Sequence, residues 1–247
     1  MLYYKQINTE KMNKQSGNMY EDITHTSNPV KGECIYDCYY CYMKGINRRY
    51  RTNPRLRLDE KELNANYGSN NFIFVGSSTD MFSKAIPTEW IKQVYNHCLK
   101  YDTNRYLFQS KNPMRFIEQA LINHPLMERK DAAVFASTIE TNRDCSFISK
   151  AAVIAERVEA MIRLRENGFD VRISGEPIMD FDLEAYVDII QQIKPSQVYI
   201  GCNTTRSIHL HEPSREKLIE LINRLRQITN VFLKSNSGRI LGDITRV

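Results

Sequence analysis

Three cysteines fall within eight residues, Cys34-Ile-Tyr-Asp-Cys38-Tyr-Tyr-Cys41, with no fourth cysteine or histidine at ligand spacing beside them. Thiolates so grouped bind soft metals, and the missing fourth ligand narrows the choice. A structural zinc site is closed by four protein ligands. A [4Fe-4S] cube also takes four, so three thiolates leave one iron for a ligand that is not protein. A zinc site completed from a distance by His25 or Cys98 is the alternative, although C-x3-C-x2-C is not a usual zinc spacing. Disulfides fit poorly. The other cysteines (Cys98, Cys145, Cys202) are scattered singly and no signal-peptide pattern opens the chain, so a reducing, cytoplasmic setting is expected.

Charge adds a second feature beside the cysteines. The net charge of +5 over 247 residues is mild, but Lys44, Arg48, Arg49, Arg51, Arg55 and Arg57 follow one another with no acidic residue between them. Read as a loop, 44–57 is either a solvated surface or an attractor for phosphate-bearing partners or an acidic electron donor. No apolar run is long enough to cross a bilayer.

These groups must be positioned by a regular scaffold, and the sequence alternates short apolar runs with longer periodic ones. Strands are expected near Ile23-Thr24 and at Phe72–Val75, Tyr106–Phe108, Ala133–Ala136, Val171–Ile173, Val198–Ile200 and Val231–Leu233. Helices are expected from Pro87 to Lys100, Pro113 to Asn123, Ala151 to Asn167, Leu183 to Ile193 and Arg215 to Arg226, with Pro87 in a first turn and Gly168 as a stop. About six β–α units imply a parallel sheet with right-handed crossovers, and the order alone does not separate an open sheet from a curved barrel.

The expected strand ends are polar. They read Gly76-Ser77-Ser78-Thr79-Asp80, Ser110-Lys111-Asn112, Ser137-Thr138-Ile139-Glu140, Ser174-Gly175-Glu176 and Gly201-Cys202-Asn203. The terminal stretch from Lys234 to Arg239 is also polar and reads as a lid or a substrate contact. Hydroxyls and a carboxylate such as Ser78 and Asp80 can accept hydrogen bonds from an ammonium group, although Asp80 could instead cap the next segment.

The cysteine spacing, with the aromatic Tyr40 just before Cys41, resembles the radical S-adenosylmethionine (radical SAM) superfamily. Asn28–Gly32, the Gly-Ser-Ser-Thr-Asp-Met-Phe run at 76–82 and Gln109–Pro113 resemble a phage-associated group of radical SAM proteins without assigned activity, and more distantly the spore photoproduct lyase branch. The resemblance covers about residues 23–240. It implies an α/β fold, a partial (β/α)6 TIM-like barrel of parallel strands, with an N-terminal extension at 1–22, a barrel domain at 23–234 and a C-terminal segment at 235–247. In such barrels chemistry gathers at the C-terminal strand ends.

Carried onto this sequence, the resemblance implies that Cys34, Cys38 and Cys41 hold a [4Fe-4S] cluster whose open iron binds S-adenosyl-L-methionine. Tyr40, Ser78, Asp80, Lys111, Ser137, Glu140, Arg172 and Glu176 become candidate cofactor contacts. Residues 76–80 depart from the family's Gly-Gly-Glu type pattern, which leaves open which of them holds the amino group. Cys202 is a candidate hydrogen-atom donor, against the plainer role of a small buried apolar residue. The implied partners are a flavodoxin- or ferredoxin-like electron donor and a nucleic acid or nucleotide substrate, with a peptide or small metabolite as the other option. The rival class is a non-catalytic iron–sulfur or zinc protein that senses redox state or binds a partner.

Overall fold

A computed structural model describes residues 12–15, 20–205 and 207–243. In chain order these form β1 (Asn13–Lys14), β2 (His25–Ser27), β3 (Val30–Lys31), α1 (Tyr42–Tyr50), β4 (Arg57–Leu58), α2 (Glu60–Leu63), β5 (Phe72–Val75), α3 (Thr88–Leu99) and β6 (Arg105–Ser110). There follow α4 (Gln119–Ile122), β7 (Ala133–Thr138), α5 (Ile154–Glu166), β8 (Asp170–Gly175), α6 (Leu183–Ile193), β9 (Gln197–Ile200), α7 (Arg215–Arg226), β10 (Asn230–Leu233) and α8 (Gly238–Leu241). Much of the expected 1–22 extension and the last four residues of the 235–247 segment lie outside the described residues.

Eight strands make one sheet in the order β1-β2-β5-β6-β7-β8-β9-β10, while β3 and β4 form a separate antiparallel pair. Within the eight-stranded sheet every pairing is parallel except that of β1, which runs antiparallel against β2. Strands covered on both faces need continuous apolar runs. Accordingly, all four residues of β5 and all six of β7 are buried.

Alternation along the strands sorts side chains into two cores. Ile73, Val75, Phe108, Phe135 and Ile173 face the helices, joining Ile91, Met161, Ile190 and Leu221. Phe72, Phe74, Leu107, Val134, Ala136 and Tyr199 face the concave side, where Tyr20 and Ile23 join them. The barrel is therefore a filled interior open at the strand ends, and its inward residues near β5–β9 C-termini become the floor of a site. The first parallel strand begins later than Ile23-Thr24, because Ile23 packs into the concave core. The ladder starts as Thr24 N–H bonds Phe72 O at 2.8 Å.

Two further expectations are corrected. The helix expected from Pro113 to Asn123 is a 3-10 turn over Pro113–Ile117, a break at Glu118 with ψ of 134°, and the four-residue α4. Phe116 is anchored 4.5 Å from Phe82 and 4.7 Å from Phe135, centroid to centroid. The buried Arg115 guanidinium bonds Ser83 O and Thr88 Oγ1. These anchors set the direction of the turn over local helix propensity. The stretch 44–57, read as a loop, begins as helix α1, none of whose residues is buried.

Gly32 joins β3 to the cysteine loop at φ +119°, and Thr79 Oγ1 donates to its carbonyl at 2.7 Å. A Cβ there would lie 2.6 Å from Arg55 O and 2.7 Å from Leu56 Cα, both backbone atoms. Gly168 also has positive φ, +82°, but a Cβ would meet nothing within 4 Å. Denaturant unfolding should therefore show Gly32→Ala losing about 1–3 kcal/mol, and more than Gly168→Ala. Equal losses would remove the steric account.

Candidate functional site

The cysteine spacing folds as two consecutive tight turns. Asp37 N–H bonds Cys34 O at 3.4 Å and Cys41 N–H bonds Cys38 O at 3.1 Å, with Asp37 in the left-handed region at φ 47°. Cys41 is the N-cap of α1, so that thiol sits at a helix N-terminus. All three sulfur-bearing residues line one wall of a cavity of about 470 Å³ at the C-terminal ends of the strands. Glu176, Cys202, Asn203 and Lys234 line another part of it. That volume suits a small organic ligand.

Burial pushes the Cys34 thiol up to about 11, reinforced by the Asp80 carboxylate, and burial likewise raises Cys41. In the bare chain these two thiols are protonated, so a metal centre would displace their protons on binding. Three thiols on one cavity are the donor chemistry of an iron–sulfur cube, which takes each thiolate at a separate iron corner, so the residues present fit a [4Fe-4S] cluster.

Behind the cysteines lies a charged knot. Glu140 is fully buried and meets Lys111 Nζ at 2.9 Å and Arg157 Nη1 at 2.9 Å, and it accepts the Tyr40 hydroxyl. Burial alone would raise the Glu140 carboxyl; the Lys111 and Arg157 charges outweigh it and hold the group down at about 2. Lys111 also lies 5.3 Å from the Tyr40 ring centroid. One carboxylate thus ties the cysteine loop to the ends of β6 and β7 and to α5.

Asp80 lines the cavity, with its oxygens accepting from Ser110 Oγ at 2.9 and 3.0 Å, Lys111 N–H at 2.9 Å and Phe82 N–H at 3.0 Å. It joins the β5 and β6 ends, and burial raises its carboxyl. Ser78 lines the cavity as well, its N–H held by Asn28 Oδ1 at 2.8 Å. On the far side, Glu176 binds Lys234 Nζ at 2.6 Å and Asn236 Nδ2 at 2.7 Å. Cys202 is buried, with its thiol pushed up to about 11 by that burial.

The structure thus brings Cys34, Cys38, Cys41, Tyr40, Ser78, Asp80, Lys111, Glu176 and Cys202 to one cavity. Ser137, Glu140 and Arg172, also expected as contacts, are not among the residues that line it. Ser137 has the parity of Phe135 and faces the helices, where its hydroxyl bonds Ser110 O at 2.8 Å. Glu140 is wholly engaged by the knot. Arg172 lies one pleat repeat, about 6.6 Å, below Ser174, at the base of the interior, where it pairs with Asp22 at 2.7 Å.

Sequence reasoning missed Tyr20, Gln109, Thr138 and Ser174 on the cavity wall, and Arg157 behind it. Gln109, Thr138 and Ser174 were legible as inward-parity positions near strand ends. Arg157 was legible as a charged residue between Ile154 and Met161 on the buried face of α5. Tyr20, whose hydroxyl donates to Gln109 Oε1 at 2.5 Å, left no signal.

No protein-family model and no curated protein matches the sequence. Solved structures do match. The chain is similar to a spore photoproduct lyase mutant with bound AdoMet and dinucleoside spore photoproduct, at 13% identity and a TM-score of 0.54, over 87% of this chain and 64% of that one. Another spore photoproduct lyase mutant gives a TM-score of 0.63 at 13% identity, over 92% of this chain and 80% of that one. Streptococcus suis SuiB bound to S-adenosylmethionine gives 0.55 at 11%, over 84% and 49%. The chain therefore spans less than two thirds of the first lyase structure. The likeness establishes the fold, a mixed α/β partial TIM-like barrel with a mostly parallel eight-stranded sheet.

Removing the Glu140 charge would leave Lys111 and Arg157 without their counter-charge. Glu140→Gln should cost about 3–5 kcal/mol in chemical denaturation. Because the folded carboxyl sits at about 2 against an ordinary 4.5, its contribution is complete above pH 4.5 and is lost as pH falls toward 2. The gap between wild type and variant should narrow over that window. A gap that holds constant down to pH 2 would assign the stability elsewhere.

Proposed function

We propose that the chain is a radical SAM enzyme. The observation that carries this reading is the placement of Cys34, Cys38 and Cys41 on the wall of a cavity at the strand C-termini, in a fold shared with AdoMet-bound structures. Held by Cys34, Cys38 and Cys41, a [4Fe-4S] cluster would supply the electron for reductive cleavage of S-adenosylmethionine and so the means of hydrogen-atom abstraction from substrate. The chain's own residues hold, orient and shield. Cys34, Cys38 and Cys41 are the cluster ligands. Tyr40, clamped by Glu140, fixes the loop that carries them. Ser78, Asp80, Lys111 and Glu176 offer polar groups to the amino, carboxylate and ribose parts of the cofactor. Cys202, a buried thiol on the same cavity, is suited to return a hydrogen atom.

The barrel unit is taken as residues 23–234, in a reducing cytoplasm, with a flavodoxin- or ferredoxin-like protein as electron donor. Among the described residues no helix is long and apolar enough to cross a membrane. We take the chain to resemble the phage-associated radical SAM group. The substrate we favour is a nucleic acid or nucleotide. Arg48, Arg49, Arg51 and Arg55 are exposed on and after α1, with the Arg49 guanidinium 5.6 Å from the Tyr50 ring centroid; Tyr39, Tyr42 and Tyr50 are exposed too, and Tyr42 lines the cavity. Cations interleaved with exposed aromatics suit a phosphate backbone and stacked bases.

Anaerobic reconstitution tests the enzyme reading. Wild type should take up about four irons per chain and release 5′-deoxyadenosine on reduction with dithionite, and Cys38→Ala should lose both. Full cleavage by Cys38→Ala, or zinc without sulfide in wild type, would overturn it in favour of a non-catalytic metal protein. For the substrate, affinity for single-stranded DNA should fall steeply with salt, and the dependence should flatten by about one contact for each arginine removed among 48, 49, 51 and 55. Binding indifferent to salt would count against phosphate recognition.

A further inference from the structure

The connection from β7 to α5 leaves the sheet and lies against the cysteine loop. Tyr39 N–H bonds Ile148 O at 2.7 Å and Lys150 N–H bonds Tyr36 O at 2.8 Å. Between these two clasps, Ser149 Oγ lies 3.2 Å from Cys38 Sγ, and both residues are buried. The Ser149 oxygen already accepts the Ala151 N–H at 3.2 Å, which leaves its hydroxyl hydrogen for the sulfur. Cys34 and Cys41 are served differently: backbone N–H groups of Tyr36 and Asp80 approach the first, and those of Met43 and Lys44 the second. Among the described residues, a side-chain hydroxyl brought from a separate loop meets a cysteine sulfur of the triplet only at Cys38.

We infer that Ser149 is a positioning residue that donates a hydrogen bond to the Cys38 sulfur and so raises the reduction potential of the metal centre. This rests on the iron–sulfur reading above. A metal-bound thiolate has no proton, so of the two partners only the hydroxyl can donate. Hydrogen bonds to cluster sulfurs are among the factors that set an iron–sulfur potential. Adding an electron makes the sulfur more negative, and a hydrogen bond to a more negative acceptor is stronger. The bond therefore favours the reduced state. The two backbone clasps do not involve the serine side chain, so the loop remains docked when that side chain is changed.

Threonine and valine fill nearly the same volume and differ in the hydroxyl, so Ser149→Thr and Ser149→Val separate the hydrogen bond from packing. The full chain and both variants are reconstituted anaerobically, iron and sulfide are counted, and the midpoint is read by an electron paramagnetic resonance redox titration. At equal cluster content, the valine variant should shift to a more negative midpoint and the threonine variant should stay near wild type. Loss of the cluster in the valine variant alone would also support the bond. Coincident midpoints for wild type and the valine variant, or equal defects in both variants, would overturn the inference. Failure of wild type to take up iron and sulfide is seen before any titration and would remove the cluster reading itself, and this inference with it.

Discussion

The Glu140 carboxylate is the point on which the arrangement of the site depends. It is fully buried, and a buried anion is tolerable only when its charge is matched and its lone pairs are filled. Lys111 from the end of β6, Arg157 from α5 and Tyr40 from the cysteine loop do both. Since each partner belongs to a different element, satisfying one charge sets the relative position of four parts of the chain. In the cysteine loop Ile35 and Tyr39 are exposed, while Tyr36 is buried and Tyr40 packs against the main core. Polar ties add to that packing, from Glu140 below and from the 144–152 segment on the outer side.

Strand parity explains why some polar residues reach the cavity and others do not. Along β7, Ala136 and Thr138 face inward while Phe135 and Ser137 face the helices. A serine one position from the cavity is thus on the other side of the sheet. Along β8, Arg172 shares the inward parity of Ser174 but sits too deep, closing the interior with Asp22 and the Phe72 ring. Parity selects the face, and depth along the strand separates floor from base. The mouth is then completed from outside the strands, by Lys234 and Asn236 after β10 and by Tyr20 ahead of β2.

Much of the scaffold was legible. α6 and α7 have the expected bounds, and β5 matches residue for residue, because each pairs a clear apolar period with end signals that tertiary contacts do not oppose. The segment after β6 was misread because Phe116 and Arg115 are anchored by residues about thirty positions earlier, which no local window contains. α5 begins at Ile154, later than its periodicity suggests, as the preceding residues are drawn to the cysteine loop.

For the site, the sequence by itself determined the cysteine triplet and the polar character of the strand ends, since cysteine spacing and composition are local properties. It also determined the succession of strands and helices, whose periods are written in consecutive side chains. Only the tertiary structure decided which polar ends face the cavity and which lie behind it, that Glu140 serves Lys111 and Arg157, and that Ser149 meets Cys38. Those outcomes depend on sheet curvature, strand depth and the partner available to each buried charge, and the partners stand between 17 and 111 residues apart in the chain.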